Sequence, residues 1–441
     1  MYKKLLLLTP FIAGLLFNSC MDDDFGGMNL SPVSVTAHVK FGGDFVTDKN
    51  AVNANVIFRN VDTGVEYIGV TDANGNYVLP AVLPGKYSAT VNFTLTPTQF
   101  EEYFGYDSGS DEYIVFNGVT QNIDILSSGT TITVEIFSAN TIGGLVIKQV
   151  YYAGSHTTRA ASFRDQFVEI YNNSAEVIYA DGLIFAQLFG NNTVGTDPFH
   201  LPSGQLNWAM SEGNTKGNAA NTDYVYADAV YRIPGSGQQY PIQPGESITI
   251  AATAINHKSN YTDNNGNSVS IQEPELTVDL SNADFEANLT SYTGNQFRYD
   301  IQNPNVPDLE IVHWVSGQDM VLDNQGRDGY VIFRASAEEV AAFDKLRNPS
   351  NANNSLYLQI PNNLILDGLD TTRDLGNNLV PKKLNAMHDA GVTYVPAGAF
   401  SSFSVIRKTQ KVVNGRIILK DTNNSTEDFI SIKAEPKAFA N

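Results

Sequence analysis

Cys20 carries the only thiol of the chain. One cysteine in 441 residues excludes an internal disulfide and any cysteine-cluster metal site. The sulfur is therefore a nucleophile or a point of attachment, and its position favours attachment. Lys3 and Lys4 precede an apolar run from Leu5 to Phe17, and a polar break then ends in Ser19-Cys20, the layout of a secretory signal cut near the cysteine. The run is roughly 13 residues, short of the ~20 that a spanning helix needs, and no later stretch qualifies.

The six histidines, His38, His156, His200, His257, His313 and His388, stand singly. None pairs at the i,i+4 spacing of a helical zinc motif, and H-E-x-x-H is absent. His38 and His313 are flanked by strand-like residues and read as structural imidazoles, whereas His156, His200 and His257 lie in polar stretches that could converge in space. The run Asp263-Asn264-Asn265-Gly266-Asn267 invites a calcium reading, but in the EF-hand register the glycine position holds Ser268 and the last acidic position Pro274, so a turn is expected. Asp421, Glu427 and Asp428 could hold a cation, although Asx-turn capping accounts for them more simply. No G-x-S-x-G elbow and no phosphate-binding glycine loop occurs. Paired carboxylates of the glycosidase kind are brought together by the fold, and no motif selects a pair. The expectation is a chain with no catalytic residues, no metal and no cofactor.

Binding is the chemistry that remains. The segment Gln187 to Asp228 is rich in Asn, Gly and Thr and carries Trp208, Tyr224 and Tyr226. Rings in a long loop could stack on sugars or a planar chelate while neighbouring amides hydrogen-bond. The competing reading has the same rings covering the body of the domain. A net charge of −20 excludes the basic stripe that nucleic acid requires.

The elements that must carry these residues are strands. With 24 Phe and 21 Tyr among many Val, Ile and Thr, and with Gly, Asn and Asp clusters between apolar runs, the composition is that of an all-β protein. Alternation through Val35 to Val39, Val56 to Phe58 and Tyr67 to Val70 has strand period, and Asn74-Gly75 closes a tight hairpin. Strands are also expected at Ser88 to Phe93, Leu145 to Tyr152, Phe167 to Tyr171, Ile248 to Ala252, Leu309 to Val315, Gly329 to Phe333 and Phe403 to Arg407. Two short helices are expected. One spans Pro97 to Phe104 behind the cap Thr96, and the other runs from Ala337 to Leu346 behind Ser336, with Glu338 and Glu339 favourable in its first turn.

Several of these patterns resemble known families. Leu16-Phe17-Asn18-Ser19-Cys20 resembles a lipobox, which implies diacylglycerol on the Cys20 sulfur, and Met21-Asp22-Asp23-Asp24 resembles the surface-export signal of Bacteroidota lipoproteins. A plain secretory signal and a merely solvated acidic linker are the bland alternatives. The series NVDTG, TDANGNY and LPGKY resembles the carboxypeptidase-regulatory-like, prealbumin-type β-sandwich, and QFVEIYNNS, YADGLIFA and YPIQPGESITIA resemble lamin-tail-type immunoglobulin-like sandwiches. The Phe403–Arg407 and Asp421–Phe429 stretches look like the terminal strands of that second module. The combination is similar to an uncharacterised family of Bacteroidota surface lipoproteins.

These resemblances imply a signal peptide at 1–19, a lipidated tether at 20–32, a prealbumin-like β-sandwich at 33–138 and an elaborated, lamin-tail-like β-sandwich at 139–441. They imply a non-catalytic protein held by outer-membrane lipid through acylated Cys20, facing the outside and binding a ligand or partner beside a TonB-dependent transporter for iron, haem or glycan. The rival expectation is a structural or adhesive surface protein that binds extracellular glycans.

Overall fold

Strand-forming residues dominate the computed structural model, which describes residues 31–42, 47–105, 114–138, 144–350, 354–376, 378–413 and 415–440. Cys20, the expected signal at 1–19 and the acidic run Asp22–Asp24 fall outside the described residues. Helices make up 9% of the described residues and the remainder is sheet and connection, so the fold is all-β and sandwich-like as expected.

The first seven strands are β1 (Val33–Phe41), β2 (Asn55–Asn60), β3 (Glu66–Val70), β4 (Asn76–Val82), β5 (Gly85–Leu95), β6 (Ile114–Ile125) and β7 (Thr130–Ser138), with α1 (Pro97–Phe104) between β5 and β6. They run in the order β3-β2-β5-β6-β7-β1-β4. The path folds over at β6 and β7, which share only the pairs Phe116↔Ser138 and Asn117↔Phe137. At that corner a Cβ on Gly118 would lie 2.2 Å from the Glu135 carbonyl oxygen, so only glycine lets the strands approach. β1 pairs antiparallel with β4 and parallel with β7. Its alternation of buried and half-buried residues sends Val33, Val35, Ala37, Val39 and Phe41 into a core that draws only on residues between Val33 and Ile136. α1 closes one end of that core. Thr96 and Gln99 form a reciprocal capping box, and Gly105 at φ 80° ends the helix. Phe104 then meets Phe41 edge-on at 5.3 Å.

The rest of the chain supplies β8 (Leu145–Tyr151), β9 (Phe167–Asn172), β10 (Ile178–Tyr179), β11 (Leu183–Leu188), β12 (Tyr224–Arg232), β13 (Pro241–Ile242), β14 (Ser247–Ala251), β15 (Tyr261–Thr262), β16 (Ser268–Val269), β17 (Phe285–Glu286), β18 (Glu310–Trp314), β19 (Gly329–Arg334), β20 (Lys345–Arg347), β21 (Leu356–Pro361), β22 (Ile365–Asp370), β23 (Phe403–Arg407), β24 (Thr409–Val413), β25 (Arg416–Leu419) and β26 (Phe429–Lys433). One sheet runs β17-β14-β9-β8-β23-β26. The facing one runs β20-β21-β12-β11-β19-β22, with β18 also on β12. The main core lies between them, built from Ile147, Ile170, Phe185, Tyr231, Ile250, Ile332, Leu369 and Val405 among others. A second apolar layer, including Ile184, Val230, Phe333 and Leu358, covers the outer face of the larger sheet. β8, β9 and β11 are buried at every position; β11 is apolar but for Gln187, while β8 and β9 carry the buried pair Lys148 and Glu169 at 3.4 Å among their apolar residues.

Three details depart from the sequence reading. α4 (Ala337–Ala341) has the expected Ser336–Glu339 capping box but stops five residues early, because Leu346 pairs with Tyr357 in the sheet and packs with Trp208. Besides α1 and α4, the described residues hold three four-residue helices, α2 (Ala219–Thr222), α3 (Thr290–Thr293) and α5 (Ser425–Asp428). The stretch Asp421–Asn424 is a turn leading into α5, and the closing strand begins at Phe429. Pro32–Asn441 pack as one unit around these separate cores.

Candidate functional site

The outer face of the first sandwich meets the second across an open cleft of about 480 Å³. On one side β6 and β7 supply the wall. β7 alternates, sending Val134 and Ile136 into the core while Thr133 and Glu135 face outward to the cleft, together with Gln121 of β6. Opposite stand the loop between β11 and β12, the first residues of β12, and residues 382–386.

Loop 189–223 is folded by its own polar groups. Gln205 accepts from the Asn191 N–H at 2.5 Å and the Leu206 N–H at 2.9 Å, and its amide donates to the Pro381 carbonyl at 3.1 Å. Ser211 Oγ donates to the Arg347 carbonyl at 2.6 Å. Such side-chain anchoring lets a long Asn/Gly-rich loop hold one shape.

Trp208, Tyr224 and Tyr226 all come to this cleft. The rings of Trp208 and Tyr226 stack at 3.6 Å and 10°. Both are buried, at 5% and 3% exposure, in a cluster with Leu206, Ala220, Leu346 and Tyr357. The Tyr226 hydroxyl donates to the Ala220 carbonyl at 2.8 Å and accepts from the Gln359 amide at 2.7 Å, and burial raises its pKa so that it stays protonated. Two of the three rings therefore back the wall as packing, and half-buried Tyr224 is the one that presents surface. Thr133, Glu135 and Gln121 were not legible as site residues. The signal was there in the outward half of a strand alternation, but nothing in the sequence says which exposed face another domain will approach.

Residues 382–386 are pinned from behind. The Lys382 ammonium is buried, 3.0 Å from Asp370 and 3.6 Å from Asp389, and it also donates to the Gly391 carbonyl. Burial alone would depress its pKa, yet the two carboxylates outweigh it and hold the group charged. Asp370 also accepts from the Leu384 N–H at 3.0 Å.

Elsewhere the candidate ligands are engaged. Asp421 and Asp428 surround the buried Arg407 guanidinium at 3.0 and 3.4 Å, with Asp367 at 2.7 Å, while Glu427 turns out toward Lys420. A protein cation thus occupies the place where a metal was considered. Asp263 accepts from the N–H groups of Asn265 and Asn267 at 3.0 and 2.8 Å and pairs with Arg298, the geometry of an Asx turn. His38 and His313 sit in strands, 2.8 Å from Asn76 Oδ1 and 2.9 Å from the Leu356 carbonyl. His257, expected in a polar loop, is fully buried beside the Thr253 carbonyl, and burial lowers its pKa to about 4. His200 contacts Asp197 at 2.7 Å, and His156 accepts from the N–H groups of Thr158 and Arg159. The histidines do not converge. Among the described residues no group of three or more His, Cys, Asp or Glu is placed to hold a metal.

Comparison with known proteins then gives a family resemblance. Residues 243–436 match the model of a protein family of unknown function, DUF4876. The matched span holds most of the second sandwich. A solved DUF4876 family protein from Bacteroides thetaiotaomicron VPI-5482 is 25% identical, with 90% of this chain and 95% of that chain covered at a TM-score of 0.51. The expected likeness to an uncharacterised Bacteroidota family agrees with both findings. DUF3823 family proteins from Bacteroides ovatus and Parabacteroides merdae align at 13% and 10% identity over 50% and 46% of this chain, and 98% and 92% of theirs, with TM-scores of 0.15 and 0.16. Superpositions of that quality establish no common fold. No curated protein matches the chain.

Proposed function

We propose that the chain is a non-catalytic lipoprotein of the outer-membrane surface whose ligand seats in the cleft between its two sandwiches. The cleft carries the reading. It has the volume of a small-ligand site, ringed by Phe137 and Tyr224 and by the polar side chains of Thr133, Gln121 and Glu135. Aromatic surface beside hydrogen-bonding side chains, with the charged Glu135, Lys382 and Lys383 also on the lining, suits a hydroxyl-bearing ring compound, and an oligosaccharide is the class we favour. Glu135 is the one carboxylate among the described residues of the wall, where hydrolysis by a carboxylate pair would require two.

Acylation of Cys20 would provide the anchor. The resemblance at residues 16–24 favours it, and no helix among the described residues is long and apolar enough to cross a membrane. We assign the first sandwich to the prealbumin-type and the second to the lamin-tail type on the turn motifs quoted above. Delivery to a TonB-dependent transporter follows from the family resemblance alone.

Calorimetric titration of the lipoprotein against a panel of bacterial, plant and host oligosaccharides tests the cleft. Binding should appear and should weaken about tenfold in Tyr224→Ala, the equivalent of ~1.4 kcal/mol. Binding that Tyr224→Ala and Glu135→Gln leave untouched would place the ligand elsewhere. Affinity purification from intact cells tests the partner, and recovery of no transporter argues for an adhesive role instead.

A further inference from the structure

The strand directions place three turns of the first sandwich at one end. β1 starts there, with Val33 opposite Val82. The β4–β5 turn follows Val82, and Gly85 at its close pairs with Ile125, beyond which lies the β6–β7 turn. That turn bonds back to the start of β1 through the Gly129 N–H and the Ser34 carbonyl at 3.1 Å. The β2–β3 turn joins them, since Asn60 pairs with Tyr87 and the Val61 N–H donates to the Lys86 carbonyl.

Each of these turns holds an apolar side chain in water. Val65 is 48% exposed, Leu83 54% and Leu126 68%. Single exposed apolar residues are ordinary, but turn tips are normally polar, and here three neighbouring tips break that pattern at one end. The turn at the opposite end, Asp72-Ala73-Asn74-Gly75, keeps it. Around the tips Lys86 pairs with Asp124 at 2.8 Å and Arg59 with Glu66 at 2.9 Å, Arg59 also donating to the Leu375 carbonyl, and Asp62 of the β2–β3 turn is an exposed carboxylate.

The chain enters the sandwich at this same end. Residues 21–32 separate Cys20 from β1, a reach of about 40 Å if fully extended and on the order of 20 Å as a coil. We infer that the Val65, Leu83 and Leu126 tips dock into the lipid surface that holds the anchor, standing the first sandwich on its end with β1 rising from the membrane. This rests on the proposed acylation of Cys20. Three short apolar tips are too little for stable binding alone, and they act as an orienting contact for a body already tethered.

The test uses the acylated full-length protein in zwitterionic phosphatidylcholine vesicles with brominated acyl chains. Because acylation consumes the natural thiol, Leu83→Cys, Leu126→Cys, Asn74→Cys and Ile68→Cys each give a single site for an environment-sensitive fluorophore. Flotation with the vesicles is scored first, and a protein that stays behind overturns the anchor and the docking with it. In floated protein, labels at 83 and 126 should lose emission roughly twofold relative to unbrominated vesicles while those at 74 and 68 do not. Flotation with no quenching at 83 and 126 would overturn the docking and leave the anchor standing. Quenching at 68 and 74 as well would mean that the sandwich lies on its β3 edge, which also overturns it.

Discussion

Arg407 is the largest fully buried side chain among the described residues and holds three carboxylates around itself. It joins the second sandwich at its closing seam, since its Nε also donates to the Ile147 carbonyl at 3.0 Å. Burial raises Asp367 to about 7 and Asp428 to about 6, with Arg407 pulling both back. Their folded values lie above the unfolded carboxylate value near 3.9, so their contribution to stability is complete below that pH and is lost as pH rises through about 6 to 7. Arg407→Met should therefore cost ~3–5 kcal/mol at pH 8, where the carboxylates face one another ionised, and clearly less at pH 5. Urea midpoints at the two pH values measure this, and equal losses would refute it. His257 and His388 act with the opposite sign. Burial lowers each to about 4, so their contribution is complete above the unfolded value of 6.5 and is lost as pH falls toward 4, on the order of 3 kcal/mol apiece. A proton NMR titration should find both imidazoles neutral at pH 5, and a midpoint near 6.5 for either would show that the site is wet.

Short elements of this molecule stand or fall on their caps. α1 is eight residues long, below the length at which a helix holds by itself, so its capping box and the burial of Phe100 sustain it. Thr96→Ala should cost ~1 kcal/mol and speed amide exchange at Gln99 and Phe100, with little change at β1. Unchanged exchange at those amides would mean that aromatic packing alone fixes the helix. Both helix starts were legible because capping is local: Thr96 with Gln99 and Ser336 with Glu339 lie three residues apart. The end of α4 was not legible. Leu346 continues the helical pattern well enough, and only its partner Tyr357 in β21 commits it to a strand.

The two principal cores of the molecule have separate membership. The first is filled by residues between Val33 and Ile136 and the main second core by residues from Leu145 onward. Polar contacts help to join them, as where the Asn117 and Asn122 amides donate to the Thr422 and Ser203 carbonyls and Arg59 donates to the Leu375 carbonyl at 2.6 Å. Interfaces of this kind couple domains weakly. Scanning calorimetry should accordingly resolve two unfolding transitions, and the lower one should shift when Asn117→Ala and Asn122→Ala are combined. One transition with equal calorimetric and van't Hoff enthalpies would show the joint to be as cooperative as a core.

Strand identity, turn chemistry and helix caps were determined by the sequence alone, because each depends on residues a few positions apart: the alternation through Val35 to Val39, the Asn74-Gly75 turn, the oxygen of Thr96. The same locality marked Trp208, Tyr224 and Tyr226 as a group worth following. Only the tertiary structure decided what the group does, turning Trp208 and Tyr226 face to face inside the wall and leaving Tyr224 to the cleft. It likewise placed Arg407 between Asp421 and Asp428, where a metal had been weighed, and set Glu135 opposite a loop that lies far along the chain. Burial and charge pairing are properties of neighbours in space, and in a sandwich those neighbours arrive from other strands, as Asp367 and Ile147 do at Arg407.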